Sequence, residues 1–180
     1  MRSESSSSPT FPASATDPSR LSVSFVCTGN ICRSPMAEVV FRELVRERGL
    51  EQAITIRSSG TGSWHIGDPA DPRAVAALHA SGFDGAAHRA RRFDAVEFDE
   101  LDLIIALDRS HLRALRALAP DDAQDRIRLL RDFDPEPGDG EVPDPYYDDD
   151  SRFAEVLAMI ERSCAGLLEA AAHTIGASAR

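Results

Sequence analysis

Residues 21–44 read LSVSFVCTGNICRSPMAEVVFREL, and this stretch decides the fold. Its first six residues alternate between apolar and polar side chains and then run apolar, as in a buried strand. A Gly-Asn turn follows, and Ser34-Pro35 is typical of a helix N-cap with proline at the first helical position. Apolar residues at helical spacing then mark one face of a helix: Ala37, Val40, Phe41, Leu44 and Val45. The stretch therefore predicts a strand, a short loop and a helix.

The alternation of strand and helix patterns continues to the end of the chain. A second strand is predicted from Ile54 to a Ser-Ser-Gly end, and two more at residues 101–107 and 127–130, with helical patterns between them. A strongly periodic helix over residues 153–171 follows. Because such alternation implies a parallel sheet, we expect a single α/β domain over residues 21–175, with four parallel strands and helices on both faces.

The charge and the type of basic residue exclude several kinds of function. The 180 residues carry a formal net charge of −10 and a pI near 4.9, whereas nucleic-acid-binding domains usually present a basic face. All 20 basic residues are Arg, which excludes a Walker-type phosphate loop and Schiff-base chemistry, because both require Lys. No apolar run is long enough to span a membrane. We expect no nucleic-acid partner, no membrane association, no metal and no organic cofactor.

The N-terminus and the cysteines indicate where the protein acts. Residues 1–20 are rich in Ser, Pro and Thr and lack the apolar core of a secretory signal, so they are predicted to be a disordered leader. Three cysteines, Cys27, Cys32 and Cys164, are too few for a disulfide framework, which favours a reducing, cytoplasmic location. Export without a signal peptide remains an alternative. Cys164 lies on the apolar face of the last helix and is expected to be structural.

The carboxyl end of the first strand carries a C-x5-R-S pattern, Cys27-Thr28-Gly29-Asn30-Ile31-Cys32-Arg33-Ser34. Ligands of open parallel sheets bind at this end of the strands. The pattern alone is weak, because three Cys and 20 Arg give about one third of a match by chance. Its position between a strand and a helix makes it specific, since such a loop aims several backbone N–H groups at an anion. The sequence thus predicts a phosphate-binding loop after the first strand.

The side chains of this loop suit phosphoryl chemistry. Gly29 and Asn30 tolerate the left-handed backbone that wraps a loop around an anion. Arg33 can bind two phosphoryl oxygens at once. The N–H groups and the helix terminus favour a Cys27 thiolate, which can attack phosphorus, and Ser34 can donate a hydrogen bond to that sulfur. The alternative, a buried structural cysteine beside a helix cap, is disfavoured by the adjoining Gly, Asn and Arg.

In its context, the loop (residues 26–38, VCTGNICRSPMAE) resembles the signature of the low-molecular-weight protein tyrosine phosphatases. Asp144-Pro145-Tyr146-Tyr147 resembles the general-acid loop of that family, and Ser58-Ser59-Gly60-Thr61 and Ala106-Leu107-Asp108 also fit it. The details are most similar to actinobacterial members, including the Gly-Ser-Trp-His loop. The resemblance covers roughly residues 21–168.

The resemblance implies roles for the matched positions. Cys27 attacks phosphorus and forms a phosphocysteine intermediate, Arg33 stabilises the phosphoryl transition state, and Asp144 protonates the leaving phenolate and then activates water. The residues expected to bind substrate are Thr28, Gly29, Asn30, Ile31, Cys32, Ser34, Trp64, Tyr146 and Tyr147. The implied substrates are tyrosine-phosphorylated proteins and small aryl phosphates, with inorganic phosphate as product.

Some of these assignments have a structural alternative. Ser58 and His88 match family positions that hold Asn30 in a hydrogen-bond network, but His88 could equally be a solvent-exposed residue of an Arg-rich segment. Trp64 and the paired tyrosines are expected to wall the pocket and select a flat phenyl phosphate. Packing in the core is the alternative for Trp64.

The chain departs from the family pattern after Asp-Pro-Tyr-Tyr. The family commonly continues with Gly, whereas Asp148-Asp149-Asp150 follow here. Asp148 is expected to stiffen the loop, and the three carboxylates add negative charge near the pocket mouth, which should disfavour acidic phosphopeptides. Alternatively, one of these Asp residues or Ser151 caps the last helix.

Three other functions compete with a tyrosine phosphatase. An arsenate reductase of the same fold needs further cysteines to relay a disulfide, and after Cys32 only Cys164 remains. Protein-arginine phosphatases carry Thr where this chain has Ile31, and an apolar side chain suits an aryl ring better than a guanidinium. A phosphotyrosine-binding module, which is not an enzyme, would need Arg33 but neither Cys27 nor a general acid.

Overall fold

Four parallel strands form the centre of the molecule. The computed structural model describes residues 9–14 and 17–178. The strands, numbered in chain order, are β1 (Leu21–Cys27), β2 (Ile54–Gly60), β3 (Leu103–Ala106) and β4 (Ile127–Leu129). They pair in the order β2-β1-β3-β4, and every pair is parallel. The predicted four-stranded parallel sheet is confirmed.

Helices cover both faces of this sheet. They are α1 (Arg33–Glu47), α2 (Pro72–Ala80), α3 (Arg109–Leu118) and α4 (Asp150–Ser178), with 3-10 turns at Ala95–Asp99, Asp121–Arg126 and Leu130–Phe133. Phe25 of β1 belongs to the core formed with α1, α2 and α4, whereas Val26 belongs to the core formed with α3 and the first two 3-10 turns. Neighbouring strand residues point to opposite faces, so β1 contributes to both cores, as predicted.

The strand register brings the loop with the C-x5-R-S pattern and two other loops to one edge of the sheet. Cys27 at the end of β1 pairs with Gly60 at the end of β2, and Val26 pairs with Ala106 at the end of β3. The loops that leave these three strands therefore start side by side. This edge is where ligands of parallel α/β sheets bind.

Part of the N-terminal segment packs against the edge strand β4 and the 3-10 turn that follows it. The leader predicted over residues 1–20 lies partly outside the described residues. Within the described part, Phe11 is buried, and its ring meets that of Phe133 edge-on with centroids 6.1 Å apart. The carbonyl oxygen of Thr10 accepts a hydrogen bond from Arg128 of β4 at 3.1 Å. Phe11 is thus packed where the sequence predicts disorder, because a lone Phe in a Ser- and Pro-rich segment gives no periodic signal.

None of the helices within residues 9–14 and 17–178 combines the length and the apolar character needed to cross a bilayer.

Candidate active site

The loop of residues 28–32 joins β1 to α1 at the carboxyl edge of the sheet. α1 begins at Arg33, with Cys32 in the N-cap position and no side chain capping the helix. The predicted cap at Ser34 is therefore wrong. The Ser34 hydroxyl is fully buried and has another role, since its Oγ lies 2.9 Å from Sγ of Cys27. This contact links the first turn of α1 to Cys27.

Asn30 fixes the shape of the loop. Its φ is 56°, the one positive φ of a non-glycine among the described residues. Its buried side chain donates from Nδ2 to Oγ of Ser34 at 2.8 Å and to Oγ of Ser58 at 2.9 Å. Its Oδ1 accepts the backbone N–H of Arg91 at 2.9 Å. These bonds stabilise a left-handed backbone conformation that would otherwise be unfavourable.

The Ser34 hydroxyl connects Asn30 to the cysteine sulfur. Because Oγ accepts a hydrogen bond from Asn30 Nδ2, its own hydrogen is available to another acceptor. Two acceptors lie near it, Sγ of Cys27 at 2.9 Å and the carbonyl oxygen of Ser59 at 3.3 Å. The Ser34 hydroxyl is therefore placed to donate a hydrogen bond to the sulfur of Cys27.

Three side chains support Asn30 from behind the loop. Ser58 is buried and donates a hydrogen bond to the carboxylate of Glu38. Nε2 of His88 lies 2.7 Å from the carbonyl oxygen of Asn30 and therefore carries the donated hydrogen. Nδ1 of the same ring faces Glu38 Oε2 at 4.0 Å. The structure brings Ser58 and His88 into one network with Asn30 and excludes the exposed alternative for His88.

Two backbone N–H groups that follow β2 hold carbonyl groups of Cys27 and Thr28 away from the interior of the loop. The backbone N–H of Thr61 donates to the carbonyl oxygen of Cys27 at 2.9 Å, and that of Gly62 donates to Thr28 at 3.0 Å. Gly60 permits this approach, because a Cβ there would lie 2.5 Å from the Thr28 carbonyl oxygen. With these carbonyls turned away, the interior of the loop is left to N–H groups, as an anion-binding loop requires.

Arg33 is buried, and two partners set the orientation of its guanidinium. Nη1 donates to Oδ2 of Asp108 at 2.7 Å and to the carbonyl oxygen of Val142 at 3.1 Å. Nη2 lies 3.4 Å from Oδ2 of Asp144. The predicted phosphate clamp and the predicted general acid therefore face each other.

Asp108 is held in its ionised form. Burial alone would raise the pKa of this carboxyl, but the hydrogen bond from Ser110 and the proximity of His111 and Arg33 outweigh burial and lower the pKa to about 2. A permanently charged Asp108 can hold Arg33 in place at any pH near neutrality. Its signals in the sequence are its place at the end of the third strand and the fit of Ala106-Leu107-Asp108 to the family pattern.

A pocket of about 240 Å³ opens above Cys27. It is lined by Cys27, Thr28, Gly29, Ile31, Cys32, Arg33, Trp64, His65, Asp144, Tyr146 and Tyr147. Trp64 is 75% exposed, which excludes the core-packing alternative, and the rings of Tyr146 and Tyr147 meet edge-on at 5.0 Å. Asn30 and Ser34, which are also predicted to bind substrate, are fully buried, and their side chains contact the rest of the loop and the sulfur of Cys27.

Comparison with known proteins identifies the family. Residues 22–176 match the family described as low molecular weight phosphotyrosine protein phosphatase. The chain belongs to this family. It is 52% identical over 151 residues to a low molecular weight protein-tyrosine-phosphatase of Streptomyces coelicolor, a match that covers 82% of this chain and 92% of the relative. It is 50% identical over 149 residues to low molecular weight protein-tyrosine phosphatase A of Mycobacterium tuberculosis, covering 82% and 89% of the two chains.

Solved structures agree with this assignment. The crystal structure of YfkJ from Bacillus subtilis matches with a TM-score of 0.77 at 40% identity, covering 83% of this chain and 93% of that chain. A protein tyrosine phosphatase from Entamoeba histolytica matches with a TM-score of 0.80 at 32% identity, covering 83% and 95%.

Two histidines of this phosphatase belong to the site but were absent from the prediction. The His65 ring lies against Gly29, where a Cβ would come within 3.0 Å of its Cδ2, and its Nδ1 is 3.0 Å from Oδ2 of Asp68. His65 could have been predicted from its position next to Trp64 in the sequence. His111 is buried behind the loop, and its link to the site crosses the sheet, so no sequence pattern reveals it.

The other two cysteines are buried thiols. Burial raises the pKa of Cys32, and the negative charge of Asp71 raises it further. Burial likewise raises the pKa of Cys164, whose Sγ donates to the carbonyl oxygen of Ala37 at 3.8 Å in the core. All three cysteines are free, and a fully buried Cys164 cannot relay a disulfide. Within the ranges that the structure describes, no three His, Cys, Asp or Glu side chains are grouped to hold a metal.

The acidic triplet after the tyrosines serves the last helix. Oδ1 of Asp149 accepts the backbone N–H of Ser151 at 3.0 Å, so Asp149 caps α4. The backbone oxygen of Asp148 accepts a hydrogen bond from Arg73 at 3.1 Å, and its carboxylate lies 3.7 Å from Arg152. The capping alternative therefore applies to Asp149, and Asp148 is tied to two neighbouring arginines.

Proposed function

We propose that this phosphatase hydrolyses phosphotyrosine in proteins, with Cys27 as nucleophile, Arg33 as phosphate clamp and Asp144 as general acid and then general base. The carrying observation is that these three groups line one pocket, with Arg33 fixed by Asp108 and its Nη2 3.4 Å from Asp144 Oδ2. A phosphotyrosine-binding module would need only the arginine.

In the first step, the Cys27 thiolate attacks phosphorus, so that an S–P bond forms as the P–O bond to the phenyl ring breaks. The loop N–H groups and Arg33 bind the three non-bridging oxygens in an arrangement that exists before the reaction begins. Asp144 gives its proton to the departing phenolate oxygen. The products are tyrosine and a phosphocysteine, and the carboxyl of Asp144 must enter this step protonated.

In the second step, water hydrolyses the phosphocysteine. The Asp144 carboxylate accepts a proton from water as the water oxygen attacks phosphorus. The P–S bond breaks and Cys27 leaves as a thiolate, which accepts a hydrogen bond from Ser34 over the 2.9 Å contact. Inorganic phosphate is released, and the enzyme returns to its starting state.

The pocket walls favour an aryl phosphate. Trp64, Tyr146 and Tyr147 stand around the mouth, and Ile31 presents an apolar side chain inside it. Aromatic rings pack well against a phenyl group and give the pocket the depth at which a phosphotyrosine, but not a short phosphoserine, reaches Cys27. The apolar Ile31 supports tyrosine over phosphoarginine as the substrate.

The free cysteines support a cytoplasmic setting. All three are free thiols, which suits the reducing cytoplasm. Tyrosine-phosphorylated proteins of that compartment are the proposed partners.

The Cys27→Ser variant tests the proposal. Serine cannot form a comparable anion at neutral pH, so turnover of an aryl phosphate and of a phosphotyrosine peptide should fall to background, whereas vanadate should still bind to the loop. Cys164→Ala is the matched control, because it removes a thiol that lies outside the site and should keep its activity. Substantial hydrolysis by Cys27→Ser would remove Cys27 from its role.

A further inference from the structure

Thr28 and His111 form a contact that the mechanism above does not use. Thr28 follows the nucleophile directly and lines the pocket. Its Oγ1 lies 2.8 Å from Nε2 of His111, a residue of the first turn of α3. The His111 side chain is only 2% exposed. The hydrogen bond is therefore shielded from water on the histidine side.

The other ring nitrogen fixes the direction of this bond. Nδ1 of His111 lies 3.2 Å from the backbone nitrogen of Asp108, whose N–H donates to it, and 3.2 Å from Oδ1 of the same residue. That Oδ1 already accepts hydrogen bonds from the backbone N–H groups of Ser110 and His111 and from the Ser110 hydroxyl. Nδ1 therefore accepts, and in a neutral ring the hydrogen must be on Nε2. Burial and the positive charge of Arg33 lower the pKa of His111 to about 4, and the opposing carboxylates of Asp108 and Asp144 do not cancel them. The ring is neutral at pH 7 and donates from Nε2 to Thr28.

A hydroxyl that accepts this hydrogen bond has its own hydrogen free for a second partner. We propose that the Thr28 hydroxyl donates this hydrogen to a phosphoryl oxygen of the bound substrate, and that His111 is the positioning residue that aims it there. Thr28 lies in the loop whose N–H groups surround the phosphoryl group, and an anionic oxygen is the strongest acceptor in such a pocket. The inference rests on the proposed function, because it assigns one more donor to the same phosphate site.

Binding of inorganic phosphate tests the donor directly. Thr28→Val removes the hydroxyl but keeps the branched shape, and Thr28→Ser keeps the hydroxyl. The inhibition constant of phosphate, measured against turnover of an aryl phosphate, should rise about threefold to tenfold in Thr28→Val, as the loss of one hydrogen bond predicts. Thr28→Ser should stay within about twofold of the wild type. Equal constants for all three proteins would overturn the proposal.

A double-mutant cycle tests the positioning role of His111. His111→Phe keeps a ring of similar size but has no nitrogen to donate. It should weaken phosphate binding in the wild-type background and have little further effect beside Thr28→Val, because the hydroxyl that it aims is already gone. An equal effect in both backgrounds would show that His111 acts through Asp108 and Arg33, and would overturn its assigned role. Melting curves check that each variant folds, and His111→Asn replaces His111→Phe in the cycle if the latter does not.

The two proposals fail in different ways. If the wild type hydrolyses an aryl phosphate and Thr28→Val binds phosphate equally well, only the Thr28–His111 inference is wrong. If the wild type hydrolyses no aryl phosphate, the proposed function is wrong, whatever the phosphate constants are.

Discussion

Nη2 of Arg33 lies 3.4 Å from Oδ2 of Asp144, but the two side chains differ widely in exposure, at 3% and 48%. The proposed clamp, Arg33, is buried and held by Asp108, whereas the proposed acid, Asp144, projects from an open loop. A phosphoryl group bound at the buried arginine would place its leaving oxygen on the side of the pocket where Asp144 stands. This geometry supports separate roles for the two residues.

Asp144→Asn should impair the enzyme most with poor leaving groups. Phenolate needs a proton to depart, so turnover of phenyl phosphate should fall by about 10²–10⁴-fold, whereas that of nitrophenyl phosphate should fall less. The plot of log kcat against leaving-group pKa should steepen. Asp148→Asn, on the same loop, is the control and should keep the wild-type slope. An equal loss with both substrates would mean that Asp144 acts through binding or structure.

Asn30 variants separate backbone conformation from hydrogen bonding. Asn30→Gly permits the φ of 56° but removes the side-chain bonds to Ser34, Ser58 and Arg91. Asn30→Ala removes the same bonds and adds left-handed strain, so it should be less stable than Asn30→Gly by roughly 1 kcal/mol in urea unfolding. Both should lose about tenfold or more in kcat, because the loop and Ser34 lose their support. An alanine variant as active as the wild type would show that the network is dispensable.

Ile31→Thr should shift the substrate preference away from phosphotyrosine. The change replaces an apolar pocket wall by a hydroxyl, so kcat/KM for a phosphotyrosine peptide should fall relative to that for phosphoarginine. Ile31→Val keeps the apolar wall and should keep the ratio. If the ratio is also unchanged in Ile31→Thr, specificity lies in Tyr146 and Tyr147 instead.

His111 should make the stability depend on pH between about 4 and 6.5. Its pKa is about 4 in the folded protein against an ordinary value of 6.5. In that range the unfolded chain binds more protons, so the free energy of unfolding falls as pH falls, by a total on the order of 3 kcal/mol. Urea unfolding at a series of pH values should show a flatter dependence for His111→Asn than for the wild type.

The exposed His79 provides the control for this measurement. His79→Asn should retain the wild-type dependence of stability on pH, because it removes an exposed side chain and leaves the buried His111 in place. Identical curves for His111→Asn and the wild type would contradict the buried, neutral ring.

The sequence predicts the sheet and the pocket where the signal is local. The strand, loop and helix of residues 21–44 follow one another directly, so apolar periodicity and turn residues suffice to predict them. The pocket residues lie in three short segments, and the residues of each segment are close together in the sequence. The fixed geometry of parallel sheets then brings these segments to one edge.

Contacts that cross the fold leave no such signal. His111 meets Thr28 only because β1 and β3 are neighbours, and nothing in the spacing of the two residues indicates it. Ser34 looks like a helix cap in sequence, but its hydroxyl is bonded to Asn30 and Cys27, which become its neighbours only when the loop closes. Burial of Phe11 likewise depends on the distant Phe133.

The central claim is that Cys27 is the nucleophile. Its most direct test is to detect phosphate covalently bound to Cys27 during turnover. The Asp144→Ala variant lacks the base for hydrolysis of the intermediate but can still release nitrophenolate, so the phosphocysteine should accumulate. The variant is mixed with excess nitrophenyl phosphate, quenched, digested and sequenced by mass spectrometry. The account predicts phosphate on Cys27, and none when Cys27→Ser is added to the variant. Phosphate on a different residue, or nitrophenolate release that persists without Cys27, would contradict it.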